Sequence, residues 1–321
     1  MSVAWRKSRF INALRCYAGY ALSLGGHVRV SHGPVFVSVE PASVCQLHCP
    51  ECPVAFGANG KTASAPMMPE EVWQRTLAEI SPYAFTVQFY FQGEPLLHKA
   101  LPEMIRQAHA EGLYTIVSTN AQALTPNLAE ALVGAGLSRI IVSMDGLTQE
   151  TYSTYRIGGS LQQCTDALRY LRAAKERRKA RITIELQCLR LRTNEHEWDE
   201  LKRMYRTLGA DRLTLKTAQL YNYADGHPLM PADLRYSRYI KGSDGHYHRK
   251  PRRKKCLRVW SGCVITTEGE VLPCCYDKAH AHAYGNIMNT PIRELFANDK
   301  ASAFRRQAWQ EQPSICRECW K

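Results

Sequence analysis

The chain has 321 residues, 45% of them apolar and 22% charged, proportions that suit a globular protein of one large or two modest domains. A formal net charge of +13 favours anionic partners, and no apolar run reaches the roughly 18 residues a membrane-spanning helix needs. Twelve cysteines would suit a secreted disulfide framework, but no signal-peptide pattern opens the sequence and the cysteines cluster as metal ligands do, so a reducing, cytoplasmic setting is expected.

Residues 2–26 read as an amphipathic helix. Phe10, Ile11, Leu14, Tyr17, Ala18 and Leu22 share one side, and Arg6, Lys7, Arg9 and Arg15 lie mostly elsewhere. Gly25-Gly26 ends it. Its apolar side is expected to pack on the protein, with peripheral contact to an anionic membrane as the alternative. From residue 35 to about 220 strands and helices alternate. Strands are predicted at 35–39, 86–91, 114–118, 140–144, 182–189 and 213–216, and helices at 69–80, 101–111, 127–135, 161–175 and 195–208. Six β-α units predict a parallel sheet with crossover helices, and six is short of the eight of a closed barrel. Residues 1–34 form a lead-in, 35–221 the barrel, 222–255 a linker or lid, and 256–321 a second, cysteine-bearing module. Basic runs at 175–181 and 249–255 carry no interleaved aromatic residues, so nucleic acid is not an expected partner.

The richest stretch follows the first strand. Cys45, Cys49 and Cys52 are spaced C-x3-C-x2-C on one polar loop. Three thiolates reach three corners of a [4Fe-4S] cube and leave one iron without a protein ligand, which is the mark of a catalytic rather than a closed site. A zinc ribbon shows paired C-x2-C knuckles, and a bacterial ferredoxin a tighter C-x2-C-x2-C. A chance cluster or a metal knuckle is the bland alternative. The motif resembles the signature of radical S-adenosylmethionine (radical SAM) enzymes. That resemblance implies that the open iron chelates the amino and carboxylate groups of S-adenosylmethionine, and that one electron cleaves it to a 5′-deoxyadenosyl radical. Many members carry an aromatic residue before the third cysteine; here it is Glu51.

In barrel-type folds ligands gather at the C-terminal strand ends. After the second strand comes Gln92-Gly93-Glu94-Pro95. It resembles the family's G-G-E-P motif, with Gln92 in place of the first glycine, which makes Gly93 and Glu94 candidates for the amino group of S-adenosylmethionine. After the third strand come Thr119 and Asn120, and after the fourth Ser143 and Asp145. The resemblance implies ribose hydroxyls and the methionine carboxylate as their ligands. Arg156 lies in the next loop; its fork suits a carboxylate, and related enzymes use an arginine near here.

The C-terminal module carries Cys256, Cys263, Gly269-x4-Cys274-Cys275 and Cys316-x2-Cys319. It resembles the SPASM module and its shorter twitch form, which bind auxiliary [4Fe-4S] clusters. Cys256, Cys274, Cys316 and Cys319 supply four ligands, enough for one cluster. Cys275 is the alternative to Cys274, since adjacent strand residues face opposite ways. A zinc site on the same thiolates is the other reading. Cys263 is spare, and Cys16, Cys164 and Cys188 read as small buried hydrophobes. Tyr276 and Asp277, just after an auxiliary cysteine, are the candidate catalytic base, as an Asp near here is in sulfatase-maturing relatives.

Together these features predict an α/β fold: a partial (β/α)6 TIM-like barrel with a small C-terminal α+β twitch/SPASM module. The expected function is a radical SAM oxidoreductase. It abstracts a hydrogen atom from a sugar, cyclitol or other alcohol, small molecule or glycan, and completes a two-electron oxidation through one auxiliary cluster. The aminocyclitol dehydrogenase of aminoglycoside biosynthesis resembles it in cysteine plan. The family implies an electron donor such as flavodoxin or ferredoxin. The alternative is a peptide- or protein-modifying maturase, against which the short lead-in is counted. A non-catalytic metal-binding module that recruits nucleic acid or membrane is the alternative of another class.

Overall fold

The computed structural model describes residues 3–24, 28, 30–55, 65–250 and 256–319, with backbone alone for residues 3–6. Gly25-Gly26 and residues 251–255 of the second basic run lie outside the described residues. In chain order the elements are α1 (Val3–Ser23), β1 (Phe36–Val39), α2 (Glu70–Ile80), β2 (Thr86–Phe89), α3 (Leu101–Ala110), β3 (Tyr114–Thr119), α4 (Pro126–Gly134), β4 (Arg139–Ser143), α5 (Gln149–Ser153), α6 (Leu161–Arg177), β5 (Thr183–Arg190), α7 (Trp198–Met204), β6 (Arg212–Thr217), β7 (Tyr239–Lys241), β8 (Tyr247–Arg249), α8 (Arg258–Ser261), β9 (Gly262–Ile265), β10 (Glu270–Leu272), β11 (Gly285–Asn286), α9 (Ile292–Ala297), α10 (Asp299–Gln310) and α11 (Ser314–Arg317). This is an α/β fold, a partial barrel of six parallel β-α units followed by a small C-terminal module. Among the described residues no helix is long and apolar enough to cross a membrane.

Local sequence explains most boundaries. The Thr125 side chain accepts from Leu128 N at the head of α4, with Pro126 in its first turn, where the missing N–H costs nothing. The Ser160 side chain caps α6 in the same way, and Cys164, Ala167, Leu168, Leu171 and Ala174 form its buried stripe. The expected helix at 195–208 is shorter. Residues Arg192–Glu197 form a 3-10 helix first, because the Asn194 side chain turns back to Leu191 N and Trp198 Nε1.

The chain forms two compact units. One is built from Met1–Val44, Gly57–Val117 and Arg253–Lys321, the other from Cys45–Phe56 and Ser118–Arg252. In the first unit β1, β2 and β3 are parallel, with Val37 opposite Val87 and Val87 opposite Thr115. Strand β9, more than two hundred residues along the chain, adds to the free edge of β1 in parallel, and β10 and β11 follow antiparallel. Gly262 permits this pairing: a Cβ there would stand 2.3 Å from the Phe36 ring. The C-terminal helices close around Arg305, which is fully buried, donates to Val259 O and Phe296 O, and lies 4.4 Å over the Phe296 ring.

Helix α1 belongs to the same unit and faces the opposite way from the expected one. Its docked side is polar. Arg9 donates to Ser81 O, Glu111 O and Gly112 O, Asn12 donates to Gly33 O and Tyr83 O, and Cys16 is fully buried. The loops that enter β1, β2 and β3 present carbonyls without partners in the sheet, and only donors satisfy them. Phe10, Leu14, Tyr17 and Leu22 are therefore left exposed.

In the second unit β4, β5 and β6 run parallel, with Val142 opposite Leu186 and Leu186 opposite Leu213. Of the segment 222–255 that reads as a linker or lid, the described residues 222–250 are folded against the end of the barrel unit. Ala218, Leu220, Leu229, Met230 and Tyr239 share one buried cluster with Leu47, Cys49, Tyr155 and Leu191, and β7 and β8 make a hairpin.

Candidate active site

The cysteine loop lies in the second unit. None of the twelve cysteines is joined in a disulfide. The loop is turned by Cys52 N on Cys49 O and held to the segment after α5 by His48 N on Ile157 O, 3.0 Å each. Asn120, at the exit of β3, donates from Nδ2 to Cys45 Sγ at 3.4 Å, and Gln46 Nε2 donates to Asn120 Oδ1. The chain reverses after Asn120 through Ala121, whose φ of 63° is uncommon for a residue with a Cβ. Thr119 Oγ1 accepts from Ala121 N inside the same reversal.

Asp145, at the exit of β4, has a fully buried side chain. Its Oδ1 accepts from Leu189 N, and its Oδ2 pairs with Arg156 Nε at 2.6 Å. Another nitrogen of Arg156 lies 3.8 Å from Cys49 Sγ. Burial opposes the Arg156 charge, but Asp145 and then Cys49 hold its pKa well above the ordinary arginine value. Burial pushes the Cys49 thiol up to about 11, and Arg156 pulls it back. Ser143 is buried beside them in sequence, its carbonyl accepting from Cys164 Sγ. The structure thus gathers Cys45, Cys49 and Cys52 with Asn120, Asp145 and Arg156.

Glu51, the departure before the third cysteine, has a clear role. Its carboxylate accepts from Tyr221 N at 2.6 Å and pairs with His227 at 3.2 Å. It ties the cysteine loop to the segment after β6. Sequence showed the residue but gave no sign of a partner 170 positions away.

The second group of residues lies in the first unit, at the ends of β1 and β2. Gly93 is indispensable there: a Cβ would stand 2.1 Å from Ala42 O. Glu94 is buried, its N–H on Val44 O and its carboxylate accepting from Leu96 N. Gln92 replaces the family's glycine, and its Nε2 donates to Lys278 O, so this loop touches the turn after Cys274. Glu40, at the end of β1, escaped the sequence reading. It is 2% exposed, and the backbone N–H groups of Gln92, Thr267 and Gly93 face it. Glu40 Oε1 and Gln92 Oε1 are both buried acceptors without a hydrogen-bond partner. An ammonium, which has three donors and no acceptor, fits such a place.

The C-terminal thiols form a third group. Burial pushes the Cys274 thiol far up, and the charges of Cys275, Cys316 and Cys319 add to the rise. Those four sulfurs therefore share one neighbourhood. Cys319 N on Cys316 O closes the terminal C-x2-C turn. Asp277 is fully buried. Its two oxygens accept from Ala281 N and His282 N at 2.9 Å each, and its own N–H bonds Cys274 O. It holds a turn. Tyr276 beside it is half-buried. Among the described residues no three His, Cys, Asp or Glu side chains meet closely enough for a single metal ion. A cubane takes one thiolate per iron, a wider arrangement than a lone ion needs.

Residues 39–184 match the radical SAM superfamily, and residues 256–320 match SPASM, an iron-sulfur cluster-binding domain. The chain carries a radical SAM domain followed by a SPASM domain. This radical SAM enzyme is 27% identical to the PqqA peptide cyclase of Rhodopseudomonas palustris, over 93% of this chain and 82% of that protein. Streptococcus suis SuiB bound to S-adenosylmethionine is similar with a TM-score of 0.68 and 15% identity, over 89% of this chain and 71% of that one. BtrN in complex with AdoMet and 2-DOIA is similar with a TM-score of 0.55 and 19% identity, over 88% and 91%. These likenesses agree with the partial barrel. The cofactors of this radical SAM enzyme are a [4Fe-4S] cluster with S-adenosylmethionine and, in the SPASM domain, auxiliary iron-sulfur binding. The cysteines outside any disulfide, the Gly93 approach and the orphaned acceptors at Glu40 and Gln92 fit that set.

Proposed function

We propose that this radical SAM enzyme oxidatively modifies a peptide. The observation that carries the reading is the similarity to PqqA peptide cyclase along nearly the whole chain, repeated in four such relatives. It favours the peptide alternative over the sugar or cyclitol expected from the cysteine plan. When bound, the cofactors supply a 5′-deoxyadenosyl radical and an acceptor for the second electron of a two-electron oxidation.

The chain's own residues do the rest. Cys45, Cys49 and Cys52 hold the first cluster. Asn120 and Arg156 direct N–H groups at two of the sulfurs, which favours thiolate over thiol. Gly93 and Glu94, with Glu40 and Gln92 behind them, take the amino group of S-adenosylmethionine. Thr119, Asn120, Ser143 and Asp145 are assigned to its ribose and carboxylate, with Arg156 held in place by Asp145. Cys274, Cys316, Cys319 and Cys256 hold the auxiliary cluster. Asp277 we assign to positioning, because both its oxygens brace the loop that carries Cys274. That leaves Tyr276 as the candidate for proton transfer.

One observation favours a second reading: four C-terminal thiols suit a single auxiliary cluster, the plan from which an alcohol substrate was expected. The experiment is anaerobic turnover with S-adenosylmethionine and dithionite. One arm contains short peptides encoded beside the gene, the other a panel of sugars and cyclitols. The peptide reading predicts 5′-deoxyadenosine release stimulated by a peptide that itself loses two hydrogen atoms. Stimulation by a cyclitol and by no peptide overturns it.

A further inference from the structure

Six of the exposed large hydrophobic residues fall within fifteen positions of α1 and its end. They are Phe10 at 62%, Ile11 at 38%, Leu14 at 56%, Tyr17 at 52%, Leu22 at 71% and Leu24 at 41%. The helix is not loosely attached. Arg9 and Asn12 donate to the loops that enter β1, β2 and β3 from its buried side, and Asn12 Oδ1 accepts from Gly33 N. Tyr20 stands edge-on to Trp260 and Trp309 at 6.0 and 5.7 Å. The outward apolar face is thus a fixed feature of the fold.

Beside this face lies a cavity of about 550 Å³. Lys7, Arg15 and Arg293 line it together with Ser8 and Ser31, and among the described residues no carboxylate does. Ile11 belongs to both the cavity wall and the exposed apolar face. Helix α1 itself carries Arg6, Lys7, Arg9 and Arg15 and no acidic residue. An apolar strip flanked by a cationic hollow has the chemistry of a lipid–water interface, with acyl chains under the strip and phosphates in the hollow. Tyr17 suits the headgroup level.

We propose that the outward face of α1, with the Lys7–Arg15–Arg293 hollow, docks this enzyme on an anionic membrane surface. The helix lies on the bilayer and does not cross it. A second copy is the poorer occupant. A two-fold contact sets the same patch against itself, so Lys7, Arg15 and Arg293 would meet their own counterparts. Helix α1 sits on the loops that precede β1, β2 and β3, whereas Glu40 and Gln92–Glu94 lie at the other ends of β1 and β2. Docking therefore leaves that end of the first unit open to cofactor and substrate.

The test is sedimentation of the full-length, cluster-loaded protein with vesicles, either pure phosphatidylcholine or phosphatidylcholine with one third phosphatidylglycerol. Two double variants accompany it, F10E/L14E and K7E/R15E. The expected result is binding to the anionic vesicles alone, weakened by salt. Each double variant loses about tenfold in partitioning and keeps wild-type thermal unfolding and basal 5′-deoxyadenosine release. Equal binding to neutral vesicles overturns the proposal, as does failure of the wild type to sediment or undiminished binding by folded F10E/L14E. So does a lipid-free dimer that F10E/L14E dissolves, because the face is then a contact between copies.

Discussion

Glu40 makes stability depend on pH in a direction opposite to that of ordinary surface carboxylates. Burial pushes its pKa from 4.5 up to about 7; the N–H groups of Gln92, Thr267 and Gly93 pull it back, and Glu268 adds to the rise. In the unfolded chain the proton leaves near pH 4.5, in the folded chain near 7. Between those values the folded state binds more protons than the unfolded one, so stability falls as pH rises. The contribution is complete below 4.5 and is lost on passing through about 7. The gap corresponds to roughly 3 kcal/mol. Glu40→Gln keeps the shape and removes the titration. Anaerobic urea unfolding of both proteins, from about pH 5 to about pH 8, isolates the residue by difference. Wild type should lose roughly 2–3 kcal/mol relative to the variant across that range. Parallel curves would refute the argument.

Three further outcomes follow from the geometry. Gly93→Ala forces a Cβ against the Ala42 carbonyl, backbone on backbone, at a cost of roughly 3 kcal/mol or more. Calorimetric titration should show S-adenosylmethionine binding abolished; normal affinity would contradict the close approach. Asp277→Asn removes the charge from two backbone hydrogen bonds and should lower stability by about 2 kcal/mol, while leaving 5′-deoxyadenosine release without substrate unchanged. A variant of wild-type stability that has lost only substrate turnover would restore Asp277 as the base. Cys274→Ala should lose auxiliary iron and its absorbance, and Cys275→Ala should keep both; the reverse pattern would exchange their roles.

The parts of this protein that sequence revealed are those whose signal is local. Period-2 and period-3.6 patterns placed all six barrel strands; five of them, all but β6, bury apolar residues such as Val37 and Val39 or Ile140–Val142. The C-x3-C-x2-C spacing and the strand-end motifs gave the family for the same reason. What escaped depends on distant partners. The β9 edge beside β1 pairs residues far apart in the chain. The orientation of α1 was misjudged because its apolar periodicity is real, yet Arg9 and Asn12 answer to loop carbonyls at Ser81, Glu111 and Gly33 that no local pattern shows. The 222–255 segment looked like a linker because its few apolar residues, among them Leu229, Met230 and Tyr239, join a cluster with Leu47 and Cys49, which lie far away in the chain. Glu51 and Gln92 were visible only as departures from family motifs, and their partners His227 and Lys278 explain them. The substrate was least legible, since it is met by the assembled site rather than by any one motif.

The central claim is that the loop of Cys45, Cys49 and Cys52 carries the cluster that cleaves S-adenosylmethionine. Its most direct test is 5′-deoxyadenosine release by anaerobically reconstituted protein with dithionite, compared with a variant in which all three cysteines are alanine. The account predicts release by the wild type and none by the variant, which should still bind the auxiliary iron. Release by the variant, or none by a fully loaded wild type, would contradict it.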